Sequence, residues 1–257
     1  MIIKPLANIK KSEKAYITFN GNSVNVNEVF FFDVETAPEY EKLGSLLKND
    51  PKKYDLFIEK YESLKKFDSE YQNKSEADVY ENYTGLMAEY NKIVCISFGY
   101  VSNNNEFKTA SIALDGMNFK SEREIIENFV AILVKSKKKY ICGANIILFD
   151  IPLLCKKMFS YGIMPPPTFW SYEMKPWLAT AIDISDIWRG KARMRDARLS
   201  VICHLMGVKS PKEGMKGSEV GTAFYEGKIE DIAAYCEGDV TACYDIFVKY
   251  QKLGHLQ

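Results

Sequence analysis

Two acidic residues stand directly after the first strongly apolar run of this 257-residue chain. Asp33 and Glu35 follow the aromatic residues 30–32, and a single valine separates the two acids. Because alternate side chains of a β-strand point to the same face, both carboxylates would lie side by side. Burying such a pair is costly unless a cation neutralises it, and divalent cations prefer carboxylate oxygens as ligands. The pair is therefore a candidate metal site, and the alternative is a strand end whose acids face water.

A third acid lies on the last periodic segment, residues 229–253, which the spacing predicts to be one long helix. Apolar residues recur there every three or four positions, and Tyr235 and Asp239, one turn apart, run beside them. A carboxylate beside the buried face of a helix needs a partner that satisfies its charge. The alternative is that Asp239 borders the apolar stripe and reaches water, with Tyr235 at the edge of the core.

A fourth acid, Asp150, lies between a short apolar segment at 140–144, predicted to be a strand, and a predicted helix that runs to residue 159. Asn145 precedes it by five residues. Local rules explain Asp150 equally well as a helix cap, because Asp is favoured at that position and Pro152 suits the first turn. The sequence is compatible with Asp150 as a helix cap and with Asp150 as a site residue.

Together these residues resemble the three exonuclease motifs of the DEDD superfamily of 3′-5′ exonucleases, in its tyrosine-bearing subgroup. The matching stretches are Phe32-Asp33-Val34-Glu35-Thr36, Asn145-x-x-x-Phe149-Asp150 and Tyr235-x-x-x-Asp239. Two further stretches are similar to stand-alone exonucleases related to the proofreading domain of family-B DNA polymerases. These are Phe149-Asp150-Ile151-Pro152 and Lys92-Ile93-Val94-Cys95-Ile96-Ser97. The resemblance covers about residues 28–253.

The resemblance implies a metal-dependent 3′-5′ exonuclease that hydrolyses nucleic acid, with single-stranded DNA as the expected substrate, to nucleoside 5′-monophosphates. It implies that Asp33, Glu35, Asp150 and Asp239 hold two divalent metal ions, Mg²⁺ or Mn²⁺, and that Tyr235 orients the attacking water. Two such ions can activate water and stabilise the leaving 3′ oxygen. Two alternatives are a catalytically silent nucleic-acid-binding subunit on the same fold and an ordinary enzyme whose acids are caps and surface charges. The intact set of four acids argues against the silent subunit.

Contacts with the nucleic acid are expected from a basic segment that places five cations in ten residues: Arg189, Lys191, Arg193, Arg195 and Arg198. Arginine suits bidentate contacts to phosphate, while the alternative is a solvated basic loop. Thr36 and Asn145 are also expected to bind the substrate, and Asn145, a neighbour of the site, could hydrogen-bond a substrate phosphate or a metal-bound water. Phe169 and Trp188 are candidates for base stacking, although core packing is the more common role of such residues.

The elements that must position these residues follow from the hydrophobic pattern. A strand at 28–35 precedes a Lys-, Glu- and Tyr-rich helical insertion at 38–90, whose seven tyrosines we interpret as packing residues, with base stacking as the alternative. A hairpin at 93–101 and 107–114, a helix from 121, a strand at 140–144 and a helix from 150 come next. A fifth strand is predicted at 181–187, which carries Asp183 and Asp186, and a helix at 198–206. This order predicts an α/β fold with a mixed five-stranded sheet flanked by helices, and the resemblance implies that it is ribonuclease-H-like.

Net charge, cysteine content and the length of apolar runs indicate the remaining properties of the chain. The resemblance implies that residues 28–257, with the helical insertion at 38–90, form the exonuclease domain and that residues 1–27 are an N-terminal extension. Zero net charge argues against bulk electrostatic binding to nucleic acid, so a single strand with a free 3′ end would be bound locally.

The chain has six cysteines without a CxxC pair and only two histidines, which argues against a cysteine–histidine zinc site. The cysteines are typical of reduced core thiols. No apolar run is long enough for a membrane span or signal peptide, so we expect a cytoplasmic protein without membrane contact. Replication or repair proteins are the partners to expect.

Overall fold

The structure is a computed structural model that describes residues 17–19, 22–114, 119–169, 179–190, 197–210 and 215–253. The strands are Ile17–Phe19 (β1), Asn22–Val24 (β2), Val29–Pro38 (β3), Asn91–Val101 (β4), Phe107–Ala113 (β5), Tyr140–Gly143 (β6) and Ala181–Asp183 (β7). The helices are Leu43–Asn49 (α1), Pro51–Phe67 (α2), Glu76–Tyr83 (α3), Glu122–Ser136 (α4), Asp150–Ser160 (α5), Ile184–Arg189 (α6), Leu199–Met206 (α7), Val220–Tyr225 (α8) and Ile229–Leu253 (α9).

A five-stranded mixed sheet in the order β5-β4-β3-β6-β7 forms the centre of the molecule. Strand β3 is antiparallel to β4 and parallel to β6, which is in turn parallel to β7. The hairpin β4–β5 follows the predicted order, and helices pack on both faces of the sheet. The predicted mixed five-stranded sheet is confirmed.

The central strand β3 is buried on both faces because its aromatic residues alternate in direction. Phe30 and Phe32 pack towards α4 and α5, whereas Phe31 packs towards α9. All three rings are fully buried. Because Asp33 and Glu35 continue the alternation that begins at Phe31, they face α9 at the carboxyl end of the strand. A rigid, doubly buried strand therefore holds the two acids.

The insertion after β3 forms its own small core. Its buried aromatic and aliphatic residues include Phe57, Tyr61, Tyr80 and Tyr90, and the remaining tyrosines of the segment pack around them. This arrangement confirms the packing interpretation of the tyrosines over base stacking. The rings of Phe57 and Tyr80 meet edge-on, with centroids 5.1 Å apart.

The fifth strand is shorter than predicted. It ends at Asp183, and α6 begins at Ile184, so the prediction of a strand through residue 187 was wrong. The physical reason is the Asp183 carboxylate, which caps the helix by accepting a hydrogen bond from the Ser185 backbone N–H at 2.9 Å. Asp186 consequently lies on a helix, where it pairs with Arg189.

The six cysteines are buried and form no disulfide, as expected of reduced core residues. Across the residues that the structure describes, no helix combines the length and the apolarity that a membrane crossing requires.

Gly143, the last residue of β6, packs tightly against β3 and against Ile146. A Cβ at this position would lie 2.6 Å from the Phe32 carbonyl oxygen and would overlap the Ile146 side chain. We expect Gly143→Ala to lower the free energy of unfolding by about 3 kcal/mol, because neither strand backbone can move aside. Urea denaturation measures this change.

Gly44→Ala is the matched control, because a Cβ there meets nothing within 4 Å and lies inside α1. It should raise stability by up to about 1 kcal/mol through helix propensity. Equal stability of Gly143→Ala and the unmodified protein would contradict the steric argument.

Candidate metal centre

A cleft of about 520 Å³ lies where β3, the segment after β6, the start of α7 and α9 meet. Among the described residues it is lined by Asp33, Ala144, Asn145, Ser185, Ala197, Arg198, Leu199, Tyr235 and Asp239. Glu35 and Asp150 are close enough to act electrostatically on Asp33. The structure therefore brings the four acids of the predicted site together, although the chain separates them widely.

The two acids of β3 lie beside a sheet irregularity. Glu35 pairs with Cys95 of β4, but the next residue, Thr36, pairs with Ile93, so Val94 is an extra residue in β4. Such a bulge bends the strands locally and is common next to functional sites. The regular pairing of β3 with β4 therefore ends directly after Glu35, the second of the two acids.

The Asp150 carboxylate is hydrogen-bonded to the central strand β3. Its Oδ1 accepts a hydrogen bond from the backbone N–H of Val34 at 3.0 Å. Val34 lies beyond Phe31, the last residue of β3 that pairs with β6, so the carboxylate bonds β3 where the pairing with β6 has ended. Helix α5 begins at Asp150 itself, with Phe149 at the cap position and no side-chain cap. The interpretation of Asp150 as a helix cap was therefore wrong. Its burial raises its pKa from 3.8 to about 7.

Asp183 supports the candidate site, although the sequence analysis gave it no role there. Its buried carboxylate accepts the backbone N–H groups of Asn145 at 2.8 Å, Ile147 at 3.1 Å and Ser185 at 2.9 Å. These bonds hold the segment between β6 and α5, in which Asn145 has a left-handed φ of 63°. The signal in the sequence was an Asp directly before a helix start, which is the pattern of a cap.

Helix α9 supplies the other half of the cleft. Asp239 is 8% exposed and lines the cleft, so it does not lie on the solvent-facing side of the helix, as the alternative interpretation required. Burial raises the pKa of the Tyr235 hydroxyl, and Asp239, Glu35 and Asp33 raise it further. Tyr235 therefore stays protonated and donates its hydrogen bond to Asp239, one turn along the helix.

Cys236, which the sequence interpretation treated only as a core residue, touches the acidic cluster. Its Sγ donates to Asp33 Oδ2 at 3.3 Å and lies 3.4 Å from the Asp33 carbonyl oxygen. The ligand atoms of Asp33, Glu35 and Cys236 all lie within 4.8 Å of one another. Burial raises the pKa of the Cys236 thiol well above its usual value, so the sulfur is a neutral donor in the metal-free protein.

A row of polar side chains also ties α9 to the outer strands. Glu237 accepts hydrogen bonds from Ser111 at 2.6 Å and from Thr109 at 2.9 Å, both on β5. Ser111 in turn bonds Ser97 of β4 at 2.8 Å, and Ser97 is the cross-strand neighbour of Asp33. The register between α9 and the sheet, and hence between Asp239 and Asp33, is fixed by these bonds as well as by apolar packing.

The residues expected to contact nucleic acid are distributed differently. Asn145 is exposed and Arg198, at the start of α7, lines the cleft, whereas Arg189 pairs with Asp186 on its own helix. Thr36 donates its hydroxyl to the Gly85 carbonyl at 2.6 Å and thereby ties the strand end to the insertion. Lys191, Arg193 and Arg195 lie outside the described residues. Of the two candidates for base stacking, Phe169 is buried in the core beside Phe32, and Trp188 is partly exposed.

The electrostatics of the cleft favour a bound cation. Burial raises the Asp33 pKa well above 3.8, the charges of Asp239, Glu35 and Asp150 raise it further, and the Cys236 hydrogen bond lowers it. Carboxylates crowded in this way ionise together at low cost only when a positive charge lies among them. Their oxygens are the donor set that Mg²⁺ and Mn²⁺ prefer, so the residues fit such ions.

Two of three comparisons place the chain among known proteins. A family model described as "Predicted 3'-5' exonuclease related to the exonuclease domain of PolB" matches residues 83–256, which is more than half of the chain. Asn145, Asp150, Tyr235 and Asp239 fall within this range, and the acids of β3 precede it. Comparison with curated proteins gives no match.

Among solved structures, the fold is similar to that of the family B DNA polymerase from the hyperthermophilic archaeon Pyrobaculum calidifontis. The TM-score is 0.54 and the sequence identity 14%, over 86% of this chain and 24% of the polymerase chain. The chain therefore spans about a quarter of the polymerase's length. The likeness confirms the predicted ribonuclease-H-like fold.

The hydrogen bonds of Asp183 predict a stability difference between two neighbouring acids. In Asp183→Asn the new amide N–H₂ would face the N–H of one of its three backbone donors, so we expect a loss of about 1–3 kcal/mol. Asp186→Asn is the control, because Asp186 makes a surface pair with Arg189 and should change stability by about 0.5 kcal/mol at most. Urea unfolding of the two variants tests the assignment, which equal losses would contradict.

The raised pKa of Asp150 predicts how the metal-free protein responds to pH. Between about pH 4 and pH 7 the unfolded chain releases the Asp150 proton while the folded protein keeps it, so stability falls as pH rises. The loss is on the order of 4 kcal/mol, and above about pH 7 this group contributes no further change. Melting temperatures in a chelator would show the fall, and Asp150→Asn should make it smaller, while the contribution of the raised Asp33 pKa remains. Identical profiles for both proteins would contradict the prediction.

Proposed function

The chain belongs to the family of predicted 3′-5′ exonucleases related to the exonuclease domain of PolB, and from this premise we propose that it is a metal-dependent 3′-5′ exonuclease. Its proposed reaction shortens single-stranded DNA from a free 3′ end and releases nucleoside 5′-monophosphates. One observation supports this most directly: Asp33 of β3 and Asp239 of α9 line one cleft, and Glu35, also of β3, and Asp150 of α5 lie close enough to raise the pKa of Asp33. A cluster of buried and half-buried acids is suited to binding the metal ions that hydrolyse a phosphodiester.

Asp33, Glu35, Asp150 and Asp239 are the residues proposed to hold two Mg²⁺ or Mn²⁺ ions. Bound there, the ions would supply an activated water and stabilise the negative charge that develops on the leaving 3′ oxygen. The chain itself contributes rigidity: Val34 fixes the Asp150 carboxylate, and burial of β3 fixes the direction of Asp33. A fixed set of acids avoids the reorganisation that flexible ligands would require during the reaction.

Tyr235 is proposed to orient the attacking water. Its pKa is raised, so it remains a hydrogen-bond donor throughout the neutral pH range and does not act as a base. It lines the cleft beside Asp33 and Asp239. A protonated phenol at this position can hold a water or a phosphate oxygen without adding negative charge to the cluster.

The substrate strand is proposed to enter along the side of the cleft formed by Asn145 and Arg198. Both residues line the cleft and are exposed, and Arg198 offers a planar pair of donors for phosphate. Lys191, Arg193 and Arg195 precede Arg198 in the chain and remain part of the proposed contact segment, as does Arg189. Thr36 is proposed to act on the site by holding the end of β3.

A 5′-labelled single-stranded oligonucleotide with Mg²⁺ or Mn²⁺ should give a ladder of progressively shorter products. Asp33→Asn and Asp239→Asn should each slow shortening more than a hundredfold, because loss of a ligand removes several kcal/mol of transition-state stabilisation. Tyr235→Phe should slow it about tenfold, the equivalent of one hydrogen bond. Asp231→Asn is the matched control, since Asp231 lies exposed on the same helix and should retain full activity.

Three outcomes decide among the interpretations. Absence of shortening with either metal would contradict the proposed function, and tight binding without shortening would favour the silent nucleic-acid-binding subunit. Full activity of Asp239→Asn would overturn the assignment of the site. Matched DNA and RNA strands in the same assay identify the sugar preference, which depends on contacts to the 2′-hydroxyl.

A further inference from the structure

The sulfur of Cys236 lies beside the carboxylates of Asp33 and Glu35, although a site made of carboxylates alone does not require a sulfur. The residue is fully buried, yet its Sγ lies within reach of two carboxylates rather than among apolar atoms alone. It is 3.3 Å from Asp33 Oδ2, and Asp33 and Glu35 each present an oxygen within 4.8 Å of it and of each other. Two oxygens and one sulfur therefore lie close enough together to bind one cation.

The spacing of these atoms matches the edge of a metal tetrahedron. A tetrahedral Zn²⁺ with a sulfur at about 2.3 Å and a carboxylate oxygen at about 2.1 Å holds the two ligand atoms about 3.5 Å apart. The observed separation between Cys236 Sγ and Asp33 Oδ2 is 3.3 Å. Small rotations of Glu35, whose carboxylate is only half-buried, would bring its oxygen into the same sphere.

We propose that Cys236, Asp33 and Glu35 form a binding site for a thiophilic divalent cation, Zn²⁺ or Co²⁺, that overlaps the place of a catalytic Mg²⁺ or Mn²⁺. This proposal rests on the proposed function only in treating Asp33 and Glu35 as metal ligands. On binding, the S–H bond of Cys236 is replaced by a metal–sulfur bond, and the proton is released to water. No oxidation or reduction takes place.

Ligand preference then separates two classes of metal ion at one site. Mg²⁺ and Mn²⁺ are hard ions that take oxygen ligands, so they leave the Cys236 thiol protonated and hydrogen-bonded to Asp33. A softer ion gains the thiolate as a ligand and draws Asp33 and Glu35 towards Cys236. Thiophilic ions should therefore compete with Mn²⁺ and inhibit the nuclease rather than support it.

A Co²⁺ titration of the metal-free protein tests the site directly, because a thiolate bound to Co²⁺ gives a charge-transfer absorption band in the near ultraviolet. We expect the band in the unmodified protein, its loss in Cys236→Ala and its retention in Cys155→Ala. Cys155 is a buried thiol on α5, which packs against the opposite face of the sheet, and so controls for thiol content. Absence of the band from the unmodified protein, or its persistence in Cys236→Ala, would overturn the proposal.

Mn²⁺ binding, followed by electron paramagnetic resonance, separates ligand loss from misfolding. Cys236→Ala should bind Mn²⁺ within about threefold of the unmodified protein, because the oxygen ligands remain. Zn²⁺ should displace Mn²⁺ from the unmodified protein at least about tenfold more effectively than from the variant. Equal displacement from both proteins would overturn the proposal.

The same measurements keep this inference apart from the proposed function. A Cys236-dependent Co²⁺ band in a protein that shortens no oligonucleotide supports the thiophilic site and removes the nuclease. Shortening with Mn²⁺ in a protein that shows no such band supports the nuclease and overturns the thiophilic site.

Discussion

Mutual repulsion among the carboxylates of the cleft is the constraint that the rest of the structure has to oppose. Burial raises the pKa of Asp33, and the charges of Asp239, Glu35 and Asp150 raise it further, so the cluster resists being fully charged in the absence of a cation. The fold holds the acids in place through the doubly buried aromatic run of β3 and the long packed helix α9. Stability and metal affinity are therefore opposed: the burial that fixes the ligands also makes them costly to ionise without a metal.

Hydrogen bonds from backbone amides offset part of the cost of ionising two buried acids, Asp150 and Asp183, and the number of these bonds differs between the two. Asp150 accepts one amide from the central strand and keeps a pKa near 7, whereas Asp183 accepts three amides from the segment that precedes α5. Asp183 thus fixes the backbone that carries Asn145 and Asp150 without itself lining the cleft. Asp183 of β7 bonds the segment that leads into Asp150, and Asp150 bonds Val34 of β3. The position of Asp150 therefore depends on two strands that are distant from it in sequence.

Local patterns predicted the parts of this arrangement that depend on periodicity. The two-residue spacing of Asp33 and Glu35 placed them on one face of a strand, and the four-residue spacing of Tyr235 and Asp239 placed them on one side of a helix. The contacts that complete the site join distant residues: Asp150 and Val34 are 116 positions apart, and Cys236 and Asp33 are 203 apart. No periodicity reports such contacts, so Asp150 was equally well explained as a cap and Cys236 as a core thiol. The end of β7 was misplaced because a cap at Asp183 outweighed the apolar pattern that continued beyond it.

The family match and the geometry support different halves of the proposed site. The match spans residues 83–256 and so includes Asp150, Tyr235 and Asp239 but neither acid of β3. For Asp33 the support is structural: its carboxylate bonds Cys236 of α9, and its strand is bonded to Asp150 through Val34. The two halves are thus linked through direct hydrogen bonds. Without β3, Asp150 would lose the amide that satisfies it, and Asp239 would lose the carboxylate with which it would share a cation. An enzyme built on these acids therefore requires the strand that precedes the matched region, and the site has to be treated as one unit.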